Sequence, residues 1–126
     1  MTLNVVDSSG WLEYLADGKN AHTFAEIISL SDDLIVPTIS IYEVFKRARL
    51  QFEEKRAFQV VVQMQQGHVV DLDVRTALNA AQLSIDHKLP MAASIILATA
   101  RTHNAILWTQ DAHFKGLENV QFIEKK

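Results

Sequence analysis

The chain has 126 residues and a formal net charge of −3, with 48% hydrophobic residues, 21% charged residues and no cysteine. This composition is typical of a globular protein and excludes a disordered chain, a disulfide framework and thiolate metal sites. The net negative charge argues against indiscriminate coating of nucleic acid, but it leaves open an enzyme that acts on nucleic acid.

The first ten residues, MTLNVVDSSG, do not resemble a signal peptide, because they lack a basic region and their apolar run stops at Asp7. The most apolar later segment, MAASIILATA, is shorter than the roughly 20 residues that span a bilayer. Together with the length and the absence of cysteine, these features predict a single domain over residues 1–126 in the cytoplasm, without membrane contact.

Apolar runs alternate along the chain with segments of helical periodicity. The runs LNVVD, LIVP, HVVDLD and AILWTQD predict four strands, and VQFIE is a weaker candidate for a last one. Between them, helices are expected over SSGWLEYLADG, NAHTFAEIISLSDD, SIYEVFKRARLQF from Ser40, EEKRAFQVVVQMQQG, RTALNAAQLSIDHK, and from Pro90 to about Asn104. The strands are continuously apolar, which is typical of buried parallel strands. The pattern predicts a three-layer α/β/α fold around a mainly parallel sheet.

Three acidic residues follow predicted strands, where ligands bind in parallel sheets: Asp7, Glu43 and Asp111. Each has a simpler interpretation as a helix cap, and Glu43 completes a capping box with Ser40. Three carboxylates at one edge would repel each other unless a cation neutralised them. Oxygen ligands alone suit Mg²⁺ or Mn²⁺. The five histidines have no metal-ligand spacing and are interpreted as surface or core residues.

The segments NVVDSSGWLEYL, PTISIYEVFKR and LPMAASIILATARTHNAILWTQDAHF resemble the PIN-domain ribonucleases of the VapC toxin type. The resemblance covers nearly the whole chain in the family's order and implies a PIN-like fold. In that family an aspartate ends the first strand, which Asp7 matches, and a glutamate opens the helix after the second strand, which Glu43 matches. An acid follows a threonine after the fourth strand, and Thr109 and Asp111 supply both.

The family's remaining acid is missing. It stands in a run resembling Leu-Pro-x-Ala-Asp, and here LPMAAS places Ala93 at that position. Two origins remain open, a naturally inactive relative or an alanine introduced to silence a toxic nuclease. The second is favoured, because the other three acids are retained and alanine is the usual choice for silencing.

The resemblance implies Mg²⁺-dependent cleavage of RNA, with Mn²⁺ as a substitute. It assigns the metal to Asp7, Asp111 and the acid absent at position 93, with Glu43 as a ligand or general base and Ser8 and Thr109 as supporting hydroxyls. Because Ala93 removes a ligand, we expect weak Mg²⁺ binding and poor or no cleavage.

A basic segment, FKRARLQFEEKR, follows Glu43. The resemblance makes Arg47 and Arg101 candidate phosphate contacts, although a solvated helix face partly neutralised by glutamates explains the segment equally well. The family also implies a homodimer and a cognate VapB-type antitoxin. Apolar residues in the expected antitoxin region, each of which core packing explains equally, are Ile41, Phe45, Phe52 and Phe58.

Two rival interpretations come from other functional classes. HVVDLDV is similar to the DxD opening of haloacid-dehalogenase phosphatases, but no later Asp-Asp pair completes that site, so a strand end leading to a capped helix is favoured. The stronger rival is a PIN-like protein without catalysis that binds RNA or an antitoxin.

Overall fold

The computed structural model describes residues 2–126. It has a central five-stranded sheet with helices on both faces. The strands are β1 (Asn4–Val6), β2 (Leu34–Pro37), β3 (His68–Val70), β4 (Ile106–Thr109) and β5 (Val120–Phe122). The helices are α1 (Ser8–Leu15), α2 (Ala21–Ser29), α3 (Thr38–Gln51), α4 (Glu54–Met64), α5 (Val74–His87) and α6 (Met91–Thr102). Every pair of neighbouring strands is parallel. The predicted three-layer α/β/α fold is therefore confirmed.

Successive strand residues face opposite layers, as the twofold period of a β-strand requires. Val6 and Leu34 pack in a core with residues of α1, α2, α3 and α4, including the fully buried Phe24. Val5 and Leu107 pack on the other face with residues of α6. Because both faces of the central strands β1 and β2 are buried, these strands are continuously apolar in the sequence, whereas the edge strand β3 is largely exposed.

The strand order, β3-β2-β1-β4-β5, locates the candidate site. Strand β1 pairs with β2 on one side and with β4 on the other. The chain leaves β1 toward the layer of α1 but leaves β4 toward the opposite layer, where Phe114 packs, and a crevice opens beyond these two strands. Asp7 directly follows β1, and Asp111 lies two residues beyond the end of β4.

The predicted capping box of Ser40 and Glu43 is wrong. Helix α3 begins at Thr38, with Pro37 as its extended N-cap residue and no side-chain cap. Ser40 therefore lies inside the first turn, where its buried hydroxyl has no hydrogen-bond partner. Since the helix starts two residues early, Glu43 lies in its second turn and its side chain can serve another purpose.

Helix α6 also differs slightly from expectation. Pro90 is its N-cap residue rather than its first helical residue, and the helix ends at Thr102. Its first turn is closed by the Ser94 N–H, which donates to the Pro90 carbonyl at 2.9 Å. Within residues 2–126, no helix is long and apolar enough to cross a membrane.

Candidate active site

A cavity of about 400 Å³ lies beyond the carboxyl ends of β1 and β4. Six of the residues singled out from the sequence line it: Asp7, Ser8, Glu43, Arg47, Ala93 and Asp111. They come from α1, α3, α6 and the segments that follow β1 and β4. The fold therefore gathers in one place residues that lie up to 104 positions apart in the chain.

Asp7 is the most buried of the three acids, with 4% of its surface exposed. Its Oδ2 accepts hydrogen bonds from the hydroxyls of Ser9 at 2.8 Å and Thr109 at 2.9 Å. The same oxygen accepts from the Ser9 N–H at 3.4 Å, so Asp7 is also the N-cap of α1. Burial raises the pKa of the Asp7 carboxyl; the hydrogen bonds of Ser9 and Thr109 oppose this shift, and the charge of Asp111 adds to it.

Thr109 connects the two acids that follow β1 and β4. Its fully buried hydroxyl donates to Asp7 and accepts from the Asp111 N–H at 3.0 Å. The hydroxyl of Ser9 lies 3.3 Å from the same oxygen. One hydroxyl thereby sets the spacing between Asp7 and Asp111.

Glu43 is held by α1 rather than by its own helix. The Ser8 hydroxyl donates a hydrogen bond of 2.7 Å to Oε1 of Glu43. Ser8 thus supports Glu43, whereas Thr109 supports Asp7. Neither the Oδ1 atom of Asp7 nor the Oε2 atom of Glu43 takes part in these hydrogen bonds.

His113 also lines the cavity, although the spacing of the histidines in the sequence did not predict this. The ring Nδ1 of His113 lies 2.7 Å from Oδ1 of Asp111, and the backbone N–H of His113 donates to the same oxygen at 3.0 Å. Asp111 caps the single turn formed by residues 112–114, as expected, and this turn brings His113 to the cavity. The only sequence signal is the two-residue spacing between the acid and the histidine.

Position 93 presents a methyl group to the cavity, at the position where the family resemblance predicts a carboxylate. Ala93 lies at the start of α6, is 8% exposed and lines the cavity. Within residues 2–126, no three His, Cys, Asp or Glu side chains are grouped so that they could hold a metal ion. The residues present therefore do not fit a bound Mg²⁺ ion.

The basic residues are distributed differently from expectation. Arg47 lines the cavity, but Arg101 does not. Arg101 lies near the far end of α6, donates from its guanidinium to the Glu118 carbonyl at 3.1 Å, and lines a second cavity between α5 and α6. Lys125, which the sequence did not indicate, lines the acidic cavity instead.

The fold and this cavity define a class of α/β proteins that place carboxylates at the switch point of a parallel sheet. The PIN domain family model matches residues 5–119, and the chain therefore belongs to the PIN domain family, a family of nucleases. This membership confirms the resemblance that the sequence indicated. No curated protein matches the chain at a significant level.

Solved structures share the fold over nearly the whole chain. A toxin–antitoxin complex from Klebsiella pneumoniae aligns with a TM-score of 0.81 and 20% identity, over 98% of this chain and 99% of the other. VapC20 of Mycobacterium tuberculosis, a toxin that cleaves the sarcin-ricin loop, aligns with a TM-score of 0.78 and 12% identity, over 96% of this chain and 97% of the other. DNA-bound VapBC from Salmonella typhimurium gives 0.77 and 14%, over 98% of each chain.

Proposed function

We propose that this chain is the ribonuclease toxin of a toxin–antitoxin pair, acting in the cytoplasm, and that Ala93 has weakened or abolished its Mg²⁺-dependent cleavage of RNA. The observation that carries the proposal is the cavity in which Asp7, Glu43 and Asp111 face the Ala93 methyl group. Membership of a nuclease family supports it. So does the fold shared with a toxin that cleaves the sarcin-ricin loop.

The side chains have separate roles in this proposal. Asp7 and Asp111, with a carboxylate restored at position 93, would supply the oxygen ligands that Mg²⁺ or Mn²⁺ prefers, and the ion would supply charge neutralisation and water activation. Glu43, oriented by Ser8, remains available to a water molecule or the ion through its second oxygen. Arg47, at the rim of the cavity, contacts a phosphate of the RNA.

A VapB-type antitoxin and a second copy of the chain complete the proposed assembly. The fold is shared with a toxin–antitoxin complex, which supports the antitoxin. On the chain itself, Phe45 and Phe58 form a tilted ring pair with centroids 5.0 Å apart, and 52% of Phe58 remains exposed. Ile41, Phe45 and Phe52 pack against the core, whereas Phe58 does not belong to that set. Phe58 is therefore the aromatic anchor that we assign to the antitoxin surface.

The test compares this chain with Ala93→Asp in an RNA-cleavage assay containing Mg²⁺ or Mn²⁺. Ala81→Asp is the matched control, because it adds the same charge on the exposed face of α5. We expect cleavage only with Ala93→Asp, and only when a divalent ion is present. Mn²⁺ should also raise the melting temperature of Ala93→Asp more than that of this chain, because a ligand that binds only the folded state stabilises it.

The second candidate is a PIN domain that binds RNA or an antitoxin without cleavage. The absence, in residues 2–126, of a group of side chains able to hold a metal favours it. If Ala93→Asp neither cuts RNA nor gains stability from Mn²⁺, this candidate replaces the first. The genomic codon for position 93 then distinguishes a natural loss, which has an alanine codon, from an introduced change, which has an aspartate codon.

A further inference from the structure

The segment after β5, residues 123–126, reaches the acidic cavity through Lys125. The Ile123 N–H donates to the Thr109 carbonyl at 2.8 Å, which extends the pairing of β5 with β4. The carbonyl of Glu124 accepts from the side-chain amide of Asn20 at 3.0 Å. Held at two successive residues, the segment brings Lys125 to the cavity wall.

Asn20 holds this segment and the end of β4 with the same nitrogen. Its Nδ2 also donates to Oε1 of Gln110 at 3.0 Å, so both hydrogens of the amide are used. Its own backbone N–H donates to the Glu13 carboxylate at 2.9 Å. Asn20 is 1% exposed, and hydrogen bonds shielded from water in this way fix geometry more firmly than exposed ones. The position of residue 124 is therefore set by a buried contact next to Asp111.

Lys125 carries its charge without a carboxylate partner. Among residues 2–126, neither Lys125 nor Arg47 has an acidic oxygen within 4.0 Å of its cationic nitrogens. The neighbouring Glu124 carboxylate lies 3.9 Å from Lys115 instead. Two cations without an acidic partner, Arg47 and Lys125, thus share a cavity with Asp7 and Asp111. A phosphodiester is the anion that suits both, because its charge lies on oxygens that ammonium and guanidinium groups bind.

We propose that Lys125 contacts a phosphate of the RNA bound in this cavity, and that Asn20 is the positioning residue that keeps Lys125 there. The inference deepens the proposed function and rests on it, since the ligand is its RNA substrate. It adds to the site a residue from the segment after β5, more than 110 positions from Asp7 in the sequence.

The test measures RNA binding without cleavage. Fluorescence anisotropy with a labelled single-stranded RNA, in EDTA and at increasing KCl, compares this chain with Lys125→Ala. The matched control is Lys126→Ala, the next residue along, which does not line the cavity. We expect Lys125→Ala to weaken binding about tenfold at low salt. The plot of the logarithm of the association constant against the logarithm of the salt concentration has a negative slope. Its magnitude should decrease by about 0.7, the value of one phosphate contact on a single strand.

Two further variants separate contact from folding. Lys125→Arg should restore binding, because it keeps the charge. Asn20→Ala should reproduce the loss of Lys125→Ala at a temperature where circular dichroism shows a folded chain. Equal binding by Lys125→Ala and Lys126→Ala overturns the inference, as does a chain that binds no RNA at low salt. If RNA is bound through Lys125 while Ala93→Asp fails to cut it, the proposed nuclease activity fails and this inference stands.

Discussion

The hydroxyl of Ser8 donates a hydrogen bond of 2.7 Å to the carboxylate of Glu43. Ser8 is the first residue of α1, and Glu43 lies in the second turn of α3, so the contact joins two helices on the same side of the sheet. A glutamate that could have capped its own helix is instead turned toward the acidic cavity. This pairing makes the orientation of Glu43 a property of the tertiary structure.

Ser8→Ala should reduce RNA cleavage about tenfold when it is combined with Ala93→Asp, because groups that orient the residues of a metal site affect activity by about 10–100-fold. The free energy of unfolding should fall by only about 1 kcal/mol, since the half-buried Glu43 can turn to water. Single-turnover cleavage rates and urea unfolding measure the two effects. Ser29→Ala, which removes an exposed hydroxyl bonded to the Glu26 carbonyl, is the control. An unchanged cleavage rate would contradict the role of Ser8.

Asp7→Asn should raise the free energy of unfolding at pH 7. Because burial raises the pKa of the Asp7 carboxyl in the folded state, the folded state favours the protonated form. Asp7 therefore stabilises the protein below its ordinary pKa and loses that contribution as the pH rises through its raised folded pKa. Asparagine keeps an acceptor for Ser9 and Thr109, caps helices as well as aspartate does, and carries no charge.

We expect a gain in the free energy of unfolding at pH 7 that shrinks as the pH is lowered toward the ordinary pKa of aspartate, together with loss of cleavage when combined with Ala93→Asp. Urea unfolding at several pH values measures this change. Asp86→Asn is the control, because Asp86 is an exposed acid that accepts a hydrogen bond from Gln82 at 2.9 Å. A lower stability at pH 7 would mean that the charge of Asp7 is compensated in the folded protein.

Gly10→Ala should destabilise the fold through overpacking. A Cβ atom at this position of α1 would lie 2.6 Å from the ring of Phe24 and 2.8 Å from Cγ1 of Val6, both of which are buried in the core. The free energy of unfolding should fall by about 1–3 kcal/mol, as measured by thermal or urea unfolding. Gly18→Ala is the comparison, since the atoms nearest its Cβ belong to the carboxylate end of Glu13, which can move at the cost of its hydrogen bond from the Asn20 N–H, so a smaller loss is expected. Equal effects of the two substitutions would contradict this account.

The parallel α/β architecture could be predicted from the sequence because its determinants are local. Strands read as short apolar runs and helices as a 3.6-residue period, so their alternation is visible without any knowledge of contacts. The positions of Asp7 and Asp111 after strands followed from the same pattern, and the rule for parallel sheets then predicted that they meet. The absence of a carboxylate at Ala93 came from the resemblance to a family, since nothing local distinguishes it from a core alanine.

Contacts between distant segments were decided only by the tertiary structure. Local pattern favoured a capping box for Glu43, yet Pro37 started the helix early and Ser8, 35 residues away, became its partner. Arg101 was assigned to the site from its helix alone, but α6 is long enough to carry it to a different cavity. Lys125 could not be predicted, because its position depends on the hydrogen bond from Ile123 to the Thr109 carbonyl and on the one that Glu124 accepts from Asn20, 104 residues away. Sequence periodicity specifies on which face of a helix or strand a residue lies. The packing of the layers then determines which other residues that face contacts.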